Sequence, residues 1–348
     1  MNFLKSIVNF FRPAMAIDLG TSTTLIYVRG KGLVLREPSV IAIDSKTQKV
    51  LAVGWEAKKM LGKTHEGIIA KRPIRDGVIH NLEYVQYMLS EFKKKAIKNF
   101  VANPTVLVAV PSGANDVERK AAIDAAKSIG AGQVFLIEEP VASALGIGLD
   151  VFDPKGHLIV DIGGGTSEIA LVSLGGVVYK HPIRTAGDEM DEAIADYIRR
   201  NFNIAIDETV AERIKIEIGD VYGENKMEMK IVGWDIYARK PAEITITSDH
   251  IREALNGVVM ELVNAIKKVL DNAPPALVQD VLEEGVYLTG GGSTIRGLDK
   301  RLEEETGIKM IRASNPYESV VMGAGKVLEE LYNKNTQYHK LLYYTRKP

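Results

Sequence analysis

The chain has 348 residues, 46% of them apolar, enough to bury a sizeable core and to fill more than one domain. A formal net charge of −1 argues against a dedicated nucleic-acid binder, which carries a basic footprint, so no nucleic-acid partner is expected. The lack of cysteine excludes disulfides and thiolate metal sites, and no apolar stretch approaches the ~20 residues of a membrane-spanning helix.

The first dozen residues carry a pattern of their own. On a helix Leu4, Ile7, Val8 and Phe11 fall at i, i+3, i+4 and i+7, Phe3 and Phe10 widen the stripe, and Pro13 stops it. Lys5 interrupts the apolar run and no small-residue cleavage site follows, so the segment does not read as a secretory signal. Two readings stand: packing on the protein's own core, or lying in the interface of an anionic membrane. Three phenylalanines and flanking charges that are all basic suit the second.

Next come Ala14–Ile17, the turn Asp18-Leu19-Gly20-Thr21-Ser22-Thr23-Thr24, and Leu25–Val28: a β-hairpin whose turn holds glycine, hydroxyls and an acid. Gly62-Lys63-Thr64 imitates the end of a P-loop, but Ala57 stands where that motif needs glycine. Lys93, Lys94 and Lys95 read as a solvated helix face. Val134–Ile137 reads as a buried strand leading to a helix that starts at Pro140, which leaves Glu139 at the junction. There it either complements the helix dipole or orients a water toward a terminal phosphate.

The hairpin pattern then recurs. His157–Val160 leads into Asp161-Ile162-Gly163-Gly164-Gly165-Thr166-Ser167 and the apolar run Ile169–Val172. One such turn is a weak signal; a pair, each between β runs, predicts two similar domains. Glycine lets backbone N–H groups approach phosphate oxygens and form an anion-binding concavity, while the acids suit a hydrated Mg²⁺. Further on, Asp188–Asn201 reads as helix, Met227–Val232 and Glu243–Thr247 as strands. Gly285–Thr289 reads as a strand, followed by the turn Gly290–Thr294 and a helix from about Ile295 to Thr306, closed by Gly307. The tail from Tyr338 reads as a frayed terminus.

The order DLGTSTT, VPSGANDVERKAAIDAAKSIGA, EEPVASALG, DIGGGTSE and LTGGGSTIRGLDKRLEEETG resembles the actin, Hsp70 and hexokinase ATPase superfamily from about Met15 to Leu328. Within it, Glu37–Val40, Arg72–Ile79, Ala211–Lys215 and Glu304–Ile308 are similar to the MreB family of bacterial cell-shape proteins. The resemblance implies an α/β, actin-like (ribonuclease H-like) fold of two duplicated lobes with a nucleotide cleft. Residues 13–36, 76–147 and 325–348 would form the first lobe, with an insertion at 37–75. Residues 148–185 and 250–324 would form the second, with an insertion at 186–249.

It also implies roles. Asp18 and Asp161 would position Mg²⁺ through water; Thr21, Ser22, Thr23, Gly164, Gly165 and Thr166 would hold the phosphates of ATP; Glu139 and Thr166 would align the attacking water. The turn Glu212-Arg213-Ile214-Lys215 would reach the ribose or base, chiefly through Glu212 and Lys215, which by position alone read as solvent-facing. Gly291, Gly292, Ser293 and Thr294 would line the adenosine pocket. Ile216 departs from the polar residue expected there. The family further implies weak ATP hydrolysis, self-assembly into filaments, cell-wall elongation proteins as partners, and a cytoplasmic location on the inner face of the cell membrane. That membrane would be met by residues 1–12 and by a second loop carrying Phe100 and Val101. A small-molecule kinase of the same superfamily is the alternative, although no sugar- or acid-binding signature accompanies the loops.

Overall fold

The computed structural model describes residues 13–63, 66–97, 103–333 and 336–344. The expected membrane contacts Phe3, Leu4, Ile7, Val8, Phe10, Phe11, Phe100 and Val101 lie outside them. The chain forms two units, Met1–Lys155 with Val172–Val178 and Tyr317–Pro348, and Gly156–Leu171 with Tyr179–Pro316. The chain thus passes from the first unit at Lys155, returns to it over Val172–Val178 and again from Tyr317.

In the first unit, strands β1 (Ala14–Leu19), β2 (Thr23–Val28) and β3 (Gly32–Pro38) run as an antiparallel meander. Beyond β3, β4 (Ile41–Asp44), β5 (Val50–Val53) and β6 (Ile68–Lys71) form a separate sheet over Val40, Ala42 and Ala57. A tight hairpin, β7 (Ile74–Arg75) and β8 (Val78–Ile79), turns through Asp76 and Gly77. Both turn residues have positive φ, 50° and 69°, the demand of a type I′ turn that Asp-Gly meets. Strand β9 (Thr105–Val110) is buried throughout and lies parallel to β1, and β10 (Gln133–Glu138) lies parallel to β9. Such strands, covered on both faces, read as unbroken apolar runs.

The second unit repeats this plan with β11 (His157–Ile162), β12 (Ser167–Ser173) and β13 (Gly176–Ile183). An added three-stranded sheet holds β14 (Ile204–Ala205), β15 (Glu228–Asp235) and β16 (Lys240–Thr247). Strand β17 (Val286–Thr289) lies parallel to β11, and β18 (Met310–Arg312) parallel to β17. The sheets run β3-β2-β1-β9-β10 and β13-β12-β11-β17-β18, which is one topology twice. The paired hairpins are its β1–β2 and β11–β12 turns.

Four local expectations are corrected. The last strand, β19 (Tyr343–Tyr344), pairs antiparallel with β10, and Leu341 and Leu342 are buried, so the tail completes a sheet edge. Tyr338 stacks on Phe152 at 5.8 Å and Arg119 lies 4.7 Å over the Tyr343 ring, fixing the segment further. Gly291–Thr294 is a 3₁₀ turn and the next helix starts only at Leu298, so the glycines are not the N-terminus of that helix. Of the three lysines, Lys93 donates to Ile129 O at 2.6 Å and Lys95 pairs with Glu37 at 2.7 Å; neither merely decorates solvent.

The helix Glu139–Gly146 begins one residue earlier than Pro140, so Glu139 is its first residue. It packs backbone to backbone on the helix Ser319–Glu329: a Cβ on Gly146 would overlap Ser319 O, and one on Gly323 would overlap Ala142 O. Lys326 closes the arrangement by donating to Leu145 O at 2.7 Å, a carbonyl at the helix end that also accepts from Gly148 N at 3.0 Å. Gly323→Ala should therefore destabilise the protein by about 1–3 kcal/mol through overpacking. Gly257→Ala, in open space on the helix Ser248–Asn272, should stabilise it by about 0.5–1 kcal/mol. Urea unfolding of both variants checks this, and equal effects would contradict the packing account.

Candidate functional site

In the β1–β2 turn the backbone is held from below by Ser39, a fully buried residue at the end of β3. Its Oγ donates to Gly20 O at 2.7 Å, and its N–H donates to Ser22 O at 3.0 Å. Because that hydroxyl has spent its only proton, the 2.9 Å contact with Thr24 Oγ1 has Thr24 as donor. A trans peptide directs C=O and the following N–H to opposite sides, so fixing Gly20 O aims the Thr21 amide away from Ser39. A Cβ on Gly20 would come within 2.6 Å of Thr23 O, so the turn needs glycine. Thr21 Oγ1 accepts from Gly77 N at 3.0 Å, and Thr21 is buried. Its hydroxyl oxygen is a brace to the β7–β8 turn. Asp18, Ser22 and Thr23 are half-buried. Leu19, Gly77, Val78, Pro111 and Glu139 line one recess beside this turn, so Glu139 is brought close to the β1–β2 turn of its own unit.

The β11–β12 turn is built by the same logic with a different brace. Gly163 N donates to Thr166 O at 2.9 Å and closes it. The first amides of the helix Gly187–Phe202 cap its carbonyls: Gly187 N reaches Gly163 O at 3.2 Å and Asp188 N reaches Gly164 O at 2.7 Å. Both carbonyls thus face the helix, and the Gly164 and Gly165 amides face away from it. Successive outward N–H groups of this kind make an anion-binding concavity.

Asp161, at the end of β11, accepts from Thr289 Oγ1 at 2.9 Å. The glycine-rich turn lies directly on this strand end, because a Cβ on Gly290 would overlap Ile162 O and one on Gly292 would overlap the Ile162 side chain. Gly290 has φ 78°, a second reason for glycine. Ser293 Oγ donates to Gly290 O at 2.7 Å and Thr294 Oγ1 to Gly291 O at 2.6 Å. These two hydroxyls brace the turn, leaving its backbone at Gly291 and Gly292 as the lining surface.

The helix Glu208–Ile218 carries Glu212, Arg213, Ile214 and Lys215. Ile214 is core and Arg213 is exposed. Lys215 is not solvent-facing: Nζ donates to Gly187 O at 2.6 Å and to Asp191 Oδ2 at 2.9 Å, and Glu212 lies near enough to act on the Asp191 carboxylate. Arg296, just past the glycine turn, donates to Ile216 O and Gly219 O, tying that turn to the end of this helix. Ile216 is 61% exposed, so the apolar departure faces solvent. Within the second unit, then, Asp161, Gly163–Thr166, Glu212, Lys215 and Gly290–Thr294 are brought into one neighbourhood. Among the described residues no three His, Cys, Asp or Glu converge on a metal cage.

Sequence reasoning did not single out Ser39, Gly77, Asp191 or Arg296. Two of them carried a readable signal. Gly77 follows Asp76 between short β runs, a hairpin sign. Asp191 falls on the buried stripe of its helix with Met190, Ile194 and Ile198, where an acid is out of place.

The family model described as MreB/Mbl protein matches residues 12–336. The chain belongs to the MreB/Mbl family. This MreB/Mbl chain is 46% identical over 333 residues to the cell shape-determining protein MreB of Escherichia coli K12, covering 94% of the chain and 96% of that protein. It is 38% identical to MreB 5 of Spiroplasma citri bound to AMPPNP, with a TM-score of 0.89, covering 93% and 98% of the two chains. It also superposes on a subunit of the MamK double helical filament, with a TM-score of 0.78 over 92% of this chain and 99% of that one. At 22% identity that likeness speaks to the fold alone. The fold is actin-like, as the motif order implied.

Burial pushes the Asp191 carboxyl up to about 7; Lys215 opposes the rise, while Glu212 and Asp188 add to it. With the folded value above the unfolded one, the native protein keeps a proton that the unfolded chain has lost. The stability this group contributes is therefore present below the unfolded value and lost as pH rises through about 7. Between about pH 5 and about pH 8 the protein should lose about 2–3 kcal/mol more stability than its Asp191→Asn variant. Urea midpoints at the two pH values measure the difference, and parallel profiles would contradict it.

Proposed function

We propose that the chain is an ATP-binding and weakly ATP-hydrolysing protein that assembles into filaments on the inner face of the cell membrane and there organises cell-wall synthesis, which maintains rod shape. The observation that carries this reading is the braced backbone of the two hairpin turns. Each has its carbonyls tied to the protein, by Ser39 in one and by Gly187 and Asp188 in the other, so that amides are presented to an anion. Spiroplasma citri MreB 5 is seen bound both to AMPPNP and to ADP, which supports a nucleotide as that anion.

Thr21, Ser22 and Thr23 with Gly164, Gly165 and Thr166 would bind the phosphates, mainly through backbone N–H groups. Gly291 and Gly292 would lie against the adenosine, and Glu212 and Lys215 would reach the ribose or base; Lys215 Nζ has one N–H left after its two braces. Glu139 and Thr166 would hold the attacking water in line and accept its proton. Asp18 and Asp161 would hold Mg²⁺, which would supply neutralisation of phosphate charge. The apolar stripe of residues 1–12 would lie in the membrane interface, assisted by Phe100 and Val101. No helix among the described residues is long and apolar enough to cross a membrane. MreB of Escherichia coli is a cell shape-determining protein, and MamK, of the same fold, forms a double helical filament; both support the assembly and shape roles.

Electron microscopy of the purified chain on anionic liposomes, with and without Mg-ATP, tests the reading. Filaments on lipid only with Mg-ATP are expected. Asp161→Ala should lower phosphate release about 100-fold or more, and removal of residues 1–11 should strip the filaments from the lipid. ATP turnover undiminished in Asp161→Ala would remove the site assignment. Phosphoryl transfer to an added metabolite without filaments would favour a kinase instead.

A further inference from the structure

The helix that caps the second phosphate loop is itself held by an ion pair between Lys215, an expected ligand contact, and Asp191, which is not one. Asp191 is 3% exposed and lies one turn into the helix Gly187–Phe202. Lys215 Nζ, on the neighbouring helix, lies 2.9 Å from the carboxylate and 2.6 Å from Gly187 O. Oδ1, although as near to that ammonium, receives no well-aligned donor. Gly187 is also the residue whose N–H caps Gly163 O, and the next N–H caps Gly164 O. A single ammonium thus joins a buried carboxylate to the peptide group that orients the loop.

A buried carboxylate with one unfilled oxygen is costly to keep, and an apolar residue of its size would commonly fold as well. Its retention calls for a use. Without Asp191, Lys215 would keep three donors and one protein acceptor, and its flexible stem could leave Gly187. Gly187 and Asp188 would then be free to shift from the loop carbonyls, and the Gly164 and Gly165 amides would lose their fixed direction. Donors that are already aimed avoid the ordering cost on binding, so their loss appears as affinity.

We propose that Asp191 is a positioning residue for the phosphates: acting only through Lys215, it pins the start of its helix to Gly163 and Gly164 and so aims the loop amides. The proposal rests on the ATP-binding reading and adds to it a residue that touches no ligand.

The test is a double-mutant cycle on the full chain, with ATP dissociation constants measured by calorimetry well below the thermal midpoint of every variant. Asp191→Ala should weaken ATP binding about tenfold or more. Lys215→Met should weaken it at least as much. In the Lys215→Met background, Asp191→Ala should cost no further affinity, because its route of action is gone. Asp191→Asn, which keeps an acceptor oxygen for Lys215, should recover most of the affinity. Independent, multiplying losses from the two positions would overturn the proposal, as would an Asp191→Ala variant that binds ATP as tightly as the unaltered chain. Equal losses in Asp191→Asn and Asp191→Ala would overturn it too. If the unaltered chain itself binds no ATP, the functional reading fails first, and the cycle separates the two failures.

Discussion

The constraint on which each unit depends is where the carbonyls of its short hairpin turn point. A peptide unit is rigid, so a carbonyl tied to the protein commits the following N–H to the opposite side. The two turns reach that state by unlike means: a buried serine in one and the first amides of a helix in the other. The sheets repeat strand for strand, but the braces do not, so duplication of topology has not required duplication of chemistry. What the two share is economy of side chains. Ser293 and Thr294 donate their hydroxyl protons to the protein itself, and Thr21 Oγ1 accepts from Gly77, so all three hydroxyls brace the backbone of their own units.

The glycines follow from the same constraint. Gly290 and Gly292 let one turn lie on the end of β11, and Gly146 and Gly323 let two helices touch at their backbones and fix the residue before Pro140. In each case a methyl group would occupy space already held by a carbonyl oxygen or a side chain. Close approach, more than turn conformation, accounts for the glycines near the site.

Much of this was legible in the sequence. Hairpins at Asp18 and Asp161, the buried strand before Glu139 and the order of the motifs gave the duplicated α/β plan and its family. These features are local: they depend on alternation of apolar residues and on turn chemistry within a few positions. The corrections concern distant partners. The tail looked frayed because nothing near Tyr343 announces that the edge of β10, two hundred residues earlier, is open to it. Lys215 looked solvent-facing because its acceptors, Gly187 and Asp191, lie on another helix. The glycine turn reads as the start of the following helix because a 3₁₀ turn and a first helical turn share the same residue types.

The most direct measurement is residue-resolved amide exchange of the chain with and without Mg-ATP. The account predicts new protection at Thr21, Gly164 and Gly165, whose N–H groups point away from the braces on the preceding carbonyls, with little change at Gly163, Gly187 and Asp188, which already donate within the protein. Saturating nucleotide that leaves Thr21, Gly164 and Gly165 exchanging as before would contradict it.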